Sequence, residues 1–191
     1  MVAGFFFLCM PIRTTASRTE GTTLPSRDRA AQRDTLLALV AQAQSLTPPD
    51  RPADLPMNHF PNVPDWRTHE HSIWALGEEA RQALATSPSL RGDLELYGRI
   101  AQLTANRAAG RGRQSWVMLF GYVTCAPFAP AIAELLDDAD VAGHAIQALT
   151  GARVPDHVDR VRPLLDDSAA WIRRAARRYV ARYESAVPGD G

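Results

Sequence analysis

The sequence predicts an all-α protein, a short α-solenoid of helical hairpins with a disordered N-terminal arm. Three observations carry this. Ala, Leu and Arg, the residues that best suit helices, dominate the composition. Apolar residues recur three and four apart in every long segment, the stripe of a 3.6-residue period. From Arg113 onward the chain repeats itself, with helical spacing inside each unit.

The elements follow in order. Val2 to Met10 is apolar, and Arg13 follows it. An export signal wants positive charge before the apolar run and small residues at a cleavage site, and neither is present. Residues 1–27 are therefore expected to be a disordered leader, with Met10 a better initiator than Met1. The first helix spans Asp28 to Leu46, with Leu36, Leu39, Val40 and Ala43 on one face. Pro48-Pro49 stops it. Six prolines follow between residues 47 and 65, and proline fixes φ and removes the amide donor, so this stretch is a loop. Leu55, Met57, Phe60 and Val63 can pin it to a helical surface. Helix two runs from Thr68, a candidate N-cap, to Ala85, with Ile73, Leu76, Gly77, Ala80 and Leu84 inward. Helix three opens at Ser87-Pro88 and turns Leu90, Leu94, Tyr97, Ala101 and Thr104 inward. Gly110-Arg111-Gly112 then breaks the chain. Residues 28–106 form a helical N-terminal part, 107–184 the repeats, and 185–191 a disordered tail.

The repeat is explicit. Leu135-Leu136-Asp137-Asp138 returns 29 residues later as Leu164-Leu165-Asp166-Asp167. At the same offset Val117 pairs with Ile146, Phe120 with Leu149, and Ile132 with Val161. Val141, Ala145 and Leu149 are echoed by Ile172, Ala176 and Val180. Trp116 to Thr124 alone would pass as a strand, but the repeat overrides that local preference. Units that bury a helix face only against a neighbour stack into a solenoid. Residues 112 to 183 resemble bacterial HEAT repeats of the short kind found in phycobilisome lyase-like proteins. The resemblance implies an α-solenoid that serves as a binding scaffold.

Composition bounds the function. Two cysteines make neither a disulfide scaffold nor a four-thiolate zinc site. No apolar run reaches the roughly 18 residues of a membrane span. All 21 basic residues are Arg, balanced by 21 acids, a pattern that fits GC-rich bacterial coding and gives no bulk attraction to nucleic acid or anionic membrane. A cytoplasmic protein with a protein partner is the expectation; the oligomeric state stays open.

No catalytic constellation emerges. The Asp pairs recur at equivalent turns, where Asp caps a following helix. His69 and His71 are two apart and point about 200° away from each other on a helix, whereas a zinc pair needs four. His144 reads as hydrogen-bonded packing, Cys125 as a buried thiol, and Trp116 and Trp171 as core. No cofactor, metal or catalytic residue is expected. The candidate binding residues are Glu134, His157 and Arg160, in a groove around Phe128–Leu136 and Asp156–Leu165, together with Arg173, Arg174, Arg177, Arg178 and Arg182 on the last helix. The leading expectation is a non-enzymatic protein-interaction scaffold, its arginine face suited to an acidic partner. The alternative is a nucleic-acid-acting or tetrapyrrole-lyase-like enzyme on the same scaffold.

Overall fold

A computed structural model describes residues 26–50, 55–61 and 65–184. The leader up to residue 25, Val63 and the 185–191 tail lie outside the described residues. The described chain is mostly helical. Its helices are α1 (Ser26–Leu46), α2 (Thr68–Thr86), α3 (Leu94–Ala105), α4 (Gln114–Met118), α5 (Ala129–Ala133), α6 (Ala142–Ala152), α7 (Val158–Val161) and α8 (Ala170–Tyr183). Tighter 3₁₀ turns link several of them: Pro88–Leu90, Arg107–Arg113, Val123–Phe128, Glu134–Asp137 and Arg162–Asp166. Among the described residues the one sheet is a pair of two-residue antiparallel strands, β1 (Met57–Asn58) and β2 (Trp66–Arg67). The strand-like Trp116 to Thr124 segment is not in it.

The helices pack in two rows. In one, α2 contacts α4, α4 contacts α6, and α6 contacts α8. In the other, α1 contacts α3 and α3 contacts α5, while α7 and its 3₁₀ extension lie against α8. The first row is held close by small residues. A Cβ on Gly77 of α2 would sit 2.0 Å from Ser115 Oγ, and one on Gly112 would sit 2.6 Å from the Glu70 carbonyl oxygen. Ser115 donates to the Trp74 carbonyl at 2.9 Å, and the buried Trp116 indole N–H to the Ile73 carbonyl, also at 2.9 Å. A buried Trp keeps its polar tip only when it finds such a partner.

Most of the repeat's equivalences are equivalences of burial, although Leu135 and Leu136 are buried where Leu164 and Leu165 are only half-buried. Val117, Ile146, Phe120, Leu149, Ile132 and Val161 are all buried, as are Val141, Ala145, Ile172, Ala176 and Val180. The Asp pairs do not cap the following helices, whose N-cap positions are Val141 and Ala169, but they shape the turns before them. Asp138 Oδ1 accepts from the Asp140 amide at 3.1 Å, and Asp167 Oδ1 accepts from the Ala169 amide at 2.7 Å. Each is an Asx turn leading into an inner-row helix.

Four further expectations are corrected. Helix three does not begin at Ser87. A single 3₁₀ turn forms there, the chain turns at Gly92, and α3 starts at Leu94 with the Asp93 carboxylate capping the Leu96 amide at 3.0 Å. The second cap out-competes the first because it also fixes Asp93 against Arg33 of α1 at 2.8 Å. Leu94 is thereby rotated outward and is 61% exposed. Thr68 does not cap α2: its hydroxyl and amide both donate to the Pro56 carbonyl, stitching the proline segment to the helix. Trp171 is 41% exposed rather than core.

Arg113 is a deeply buried charge. Arg113, at 1% exposure, donates from Nε to the Gly110 carbonyl at 2.8 Å, from Nη1 to the Thr104 carbonyl at 3.1 Å, and from Nη2 to Asp138 at 2.9 Å. It links the end of α3, the Gly110 turn and the turn into α6. Breaking such a pair from one side strands a charge and costs about 3–5 kcal/mol. Asp138→Asn keeps the acceptor for Asp140 but not the charge, and is expected to cost in that range by denaturant melts. The double change with Arg113→Met should cost clearly less than the two single costs added. Additive losses would show that the two groups are not coupled.

Core and surface on α8 should separate equally sharply. Ile172→Asp puts an unpaired charge in a buried position and should lose at least about 3 kcal/mol. Arg177→Ala, on the exposed side, should stay within about 0.5 kcal/mol. Similar losses at both sites would show that the buried face of α8 is misassigned.

Candidate functional site

α8 is amphipathic by sequence. Ile172, Ala176, Tyr179, Val180 and Tyr183 are buried, and no acidic residue occurs between Ala170 and Tyr183. Its five arginines do not share one environment. Arg173 is half-buried and donates from Nη1 to the Asp167 carbonyl at 2.6 Å and the Ser168 carbonyl at 2.7 Å, closing the turn before its own helix. Arg182 is exposed and lies over the Tyr183 ring at 5.3 Å. Arg174 is exposed and has a partner within the structure. Arg177 and Arg178 are exposed, and among the described residues neither has a hydrogen bond or ion pair. At about 100° per residue, Arg174, Arg178 and Arg182 line one flank with Trp171, while Arg173 and Arg177 lie on the other.

The groove residues are brought together, but they satisfy one another. Arg160 reaches Glu134 at 2.6 Å and Asp137 at 2.7 Å, bridging α7 to the Glu134–Asp137 turn. These carboxylates raise the Arg160 pKa, chiefly through the hydrogen bond that Arg160 donates to Glu134. His157 stands at the N-cap position of α7, half-buried. Burial lowers its pKa, with Asp156 opposing and Arg160 assisting. Arg162 pairs with Glu184 at 2.9 Å.

The other sequence-flagged groups fall apart from one another. His69 Nε2 lies 3.0 Å from the Ala108 carbonyl oxygen. His71 is stacked between Phe60, at 4.8 Å, and Trp74, at 6.2 Å. His59 pairs with Asp65 at 2.8 Å. Among the described residues no group of three or more His, Cys, Asp or Glu could hold a metal ion. No described helix is long and apolar enough to cross a membrane. Cys125 is buried, and burial raises its pKa, so it is poorly set up as a nucleophile. A polar recess of about 360 Å³ lies between Pro49, Asp50, Asn106 and the Arg113–Asp138 pair. Its charges of both signs are close enough to compensate one another, with Arg107 3.6 Å from Asp138 and Arg113 3.8 Å from Asp140.

His144 differs from its sequence reading. It packs edge-on to Trp171 at 5.2 Å, and its Nδ1 is buried with no hydrogen-bond partner. Burial pushes its pKa down to about 4. An unfolded histidine takes its proton near 6.5, so between those pH values the unfolded chain binds the extra proton. The contribution is complete above about pH 6.5 and is lost as pH falls toward 4, a difference of about 3 kcal/mol from the shift alone. Denaturant melts across that window should show a steeper acid loss for the native chain than for His144→Gln. Parallel pH profiles would mean that His144 protonates freely in the fold.

Sequence and structure comparisons place no relative beside this geometry: no family model, curated protein or solved structure matches the chain.

Proposed function

We propose that the protein is a non-enzymatic interaction scaffold, a short solenoid of HEAT-like repeats that binds an acidic surface of a partner protein through the outer face of α8. The observation carrying this reading is the contrast between the two candidate surfaces. In the groove, Arg160 is tied to both Glu134 and Asp137, so no cation is left over there and the cluster carries a net negative charge. On α8, Arg177 and Arg178 are exposed and unpaired among the described residues, on a helix without an acid. The row formed by α2, α4, α6 and α8, with the repeat positions buried between successive helices, supports the solenoid. A chain of zero net charge that concentrates five arginines on its last helix makes a local field, suited to steering one complementary patch rather than to holding a long polyanion.

The test is a double variant, Arg177→Gln with Arg178→Gln, which keeps helix propensity and removes two charges. Helicity should be unchanged by circular dichroism. Partners captured by the native chain from its own cells should be lost or strongly depleted, and the native on-rate should fall at high salt. Retention of the same partners would return this face to a solubility role. Duplex DNA binding with a log–log salt slope of about −0.9 per phosphate contacted would favour the nucleic-acid reading. A tetrapyrrole absorbance change would favour the lyase-like one.

A further inference from the structure

We infer that Trp171 is the apolar anchor of the α8 surface and that the surface takes an acidic segment carrying an apolar side chain next to its carboxylates. This rests on the scaffold reading above and adds what the partner must look like.

An exposed tryptophan needs a reason, and here the chain has built a seat for it. Trp171 lies across Gly143 of α6, where a Cβ would come within 2.2 Å of its Cη2 and 2.5 Å of its Cζ3. Any residue but glycine at 143 would push the ring away. The edge-on contact with His144, at 5.2 Å, supports the ring from a second side. Below that contact the His144 Nδ1 is shut off from water without a partner. The indole is thus held in place from α6 while 41% of the residue stays open to solvent. A large aromatic side chain already fixed in position loses little conformational entropy on binding, and Trp flanked by Arg is the composition of interaction hot spots.

The charges continue from the ring. Arg174, Arg178 and Arg182 follow at three, seven and eleven residues, within an arc of about 80° that contains Trp171. Successive arginines four apart stand about 6 Å from one another along the helix. Carboxylates one helical turn apart on a partner have the same spacing. Single-stranded nucleic acid would instead need successive stacking platforms. The other aromatics of α8, Tyr179 and Tyr183, are buried at 0% and 8% exposure, so Trp171 has no second platform on this helix.

The experiment measures binding of the full chain to an amphipathic peptide of Glu, Leu and Ala, with its Leu→Ser counterpart and oligo(dT) as comparisons. The Leu-containing peptide should bind more tightly than the Leu→Ser peptide, and both more tightly than oligo(dT). Binding should shield a tryptophan from acrylamide quenching. Trp171→Ala should weaken the Leu peptide about tenfold and leave the Leu→Ser peptide nearly unchanged, and Trp171→Phe should stay within about threefold of native. Thermal melts confirm folding, and Trp171→Phe keeps the ring on Gly143 should the alanine variant melt early. Native affinity in folded Trp171→Ala, alongside loss in the Arg177→Gln, Arg178→Gln double variant, would overturn the anchor and leave the scaffold reading standing. Oligo(dT) binding more tightly than either peptide would overturn both.

Discussion

A guanidinium placed where water cannot reach it must be surrounded by acceptors, and much of this fold is arranged around that requirement at Arg113. Its donors go to Thr104, Gly110 and Asp138, three points from separate stretches of chain. Gly110 adopts a positive φ of 52°, a conformation that side-chain-bearing residues rarely take, and this brings its carbonyl to the guanidinium. Asp138 has a second duty in the turn that starts α6: its carboxylate receives the Asp140 amide, and its carbonyl receives those of Val141 and Ala142. One buried charge therefore couples the end of α3 to the start of α6. The helical N-terminal part and the repeating part meet at this point.

The second repeat solves the same turn without a buried ion. Asp167 makes the matching Asx turn, and the guanidinium that arrives there is Arg173, from the helix that follows. Arg173 is only half-buried and binds main-chain carbonyls rather than a carboxylate. The difference follows from position in the stack. The Asp138 turn has neighbours on both sides and α6 behind it, so a polar group there is sealed in. The Asp167 turn leads into the last described helix, where water can still solvate one side. An isolated buried ion pair is rarely a net source of stability, but it penalises every arrangement in which the partners miss each other. Such a penalty fits a junction between two differently built halves.

Much of the architecture was legible because the core itself is periodic. Positions paired at an offset of 29, such as Val117 with Ile146 and Ile132 with Val161, are buried as pairs. What the periodicity could not show lies at its ends and in its exceptions. Leu94 carried the right spacing for the core, yet the Asp93 cap and its ion pair to Arg33 start α3 later and turn Leu94 outward. Trp171 reads as a repeat-core residue, yet the echo that pairs Val141 with Ile172 sets it opposite Asp140, a turn residue. Arg113 was hidden by composition: among 21 arginines nothing local marks the one that is buried, and its partner is 25 residues away. The groove residues were placed in the right neighbourhood, but spacing alone could not reveal that Arg160 spends its donors on Glu134 and Asp137.

Two of these exceptions bear on where the molecule can interact: one residue holds a junction and another is released from packing. Arg113 is the first. Trp171 is the second, and it is seated against Gly143 and His144 of α6. At the equivalent step one unit earlier, Asp140 is half-buried and its carbonyl receives the Gln114 side-chain amide at 2.8 Å. That step is closed by a side chain from the preceding α4, whereas Trp171 at the start of α8 stays open to solvent. On α8 the outer face combines an aromatic ring seated on α6 with exposed cations. The stability of α8 rests on Ile172, Ala176, Tyr179 and Val180, on the opposite side. The exposed side is therefore free to be specialised for a partner at little cost to the fold.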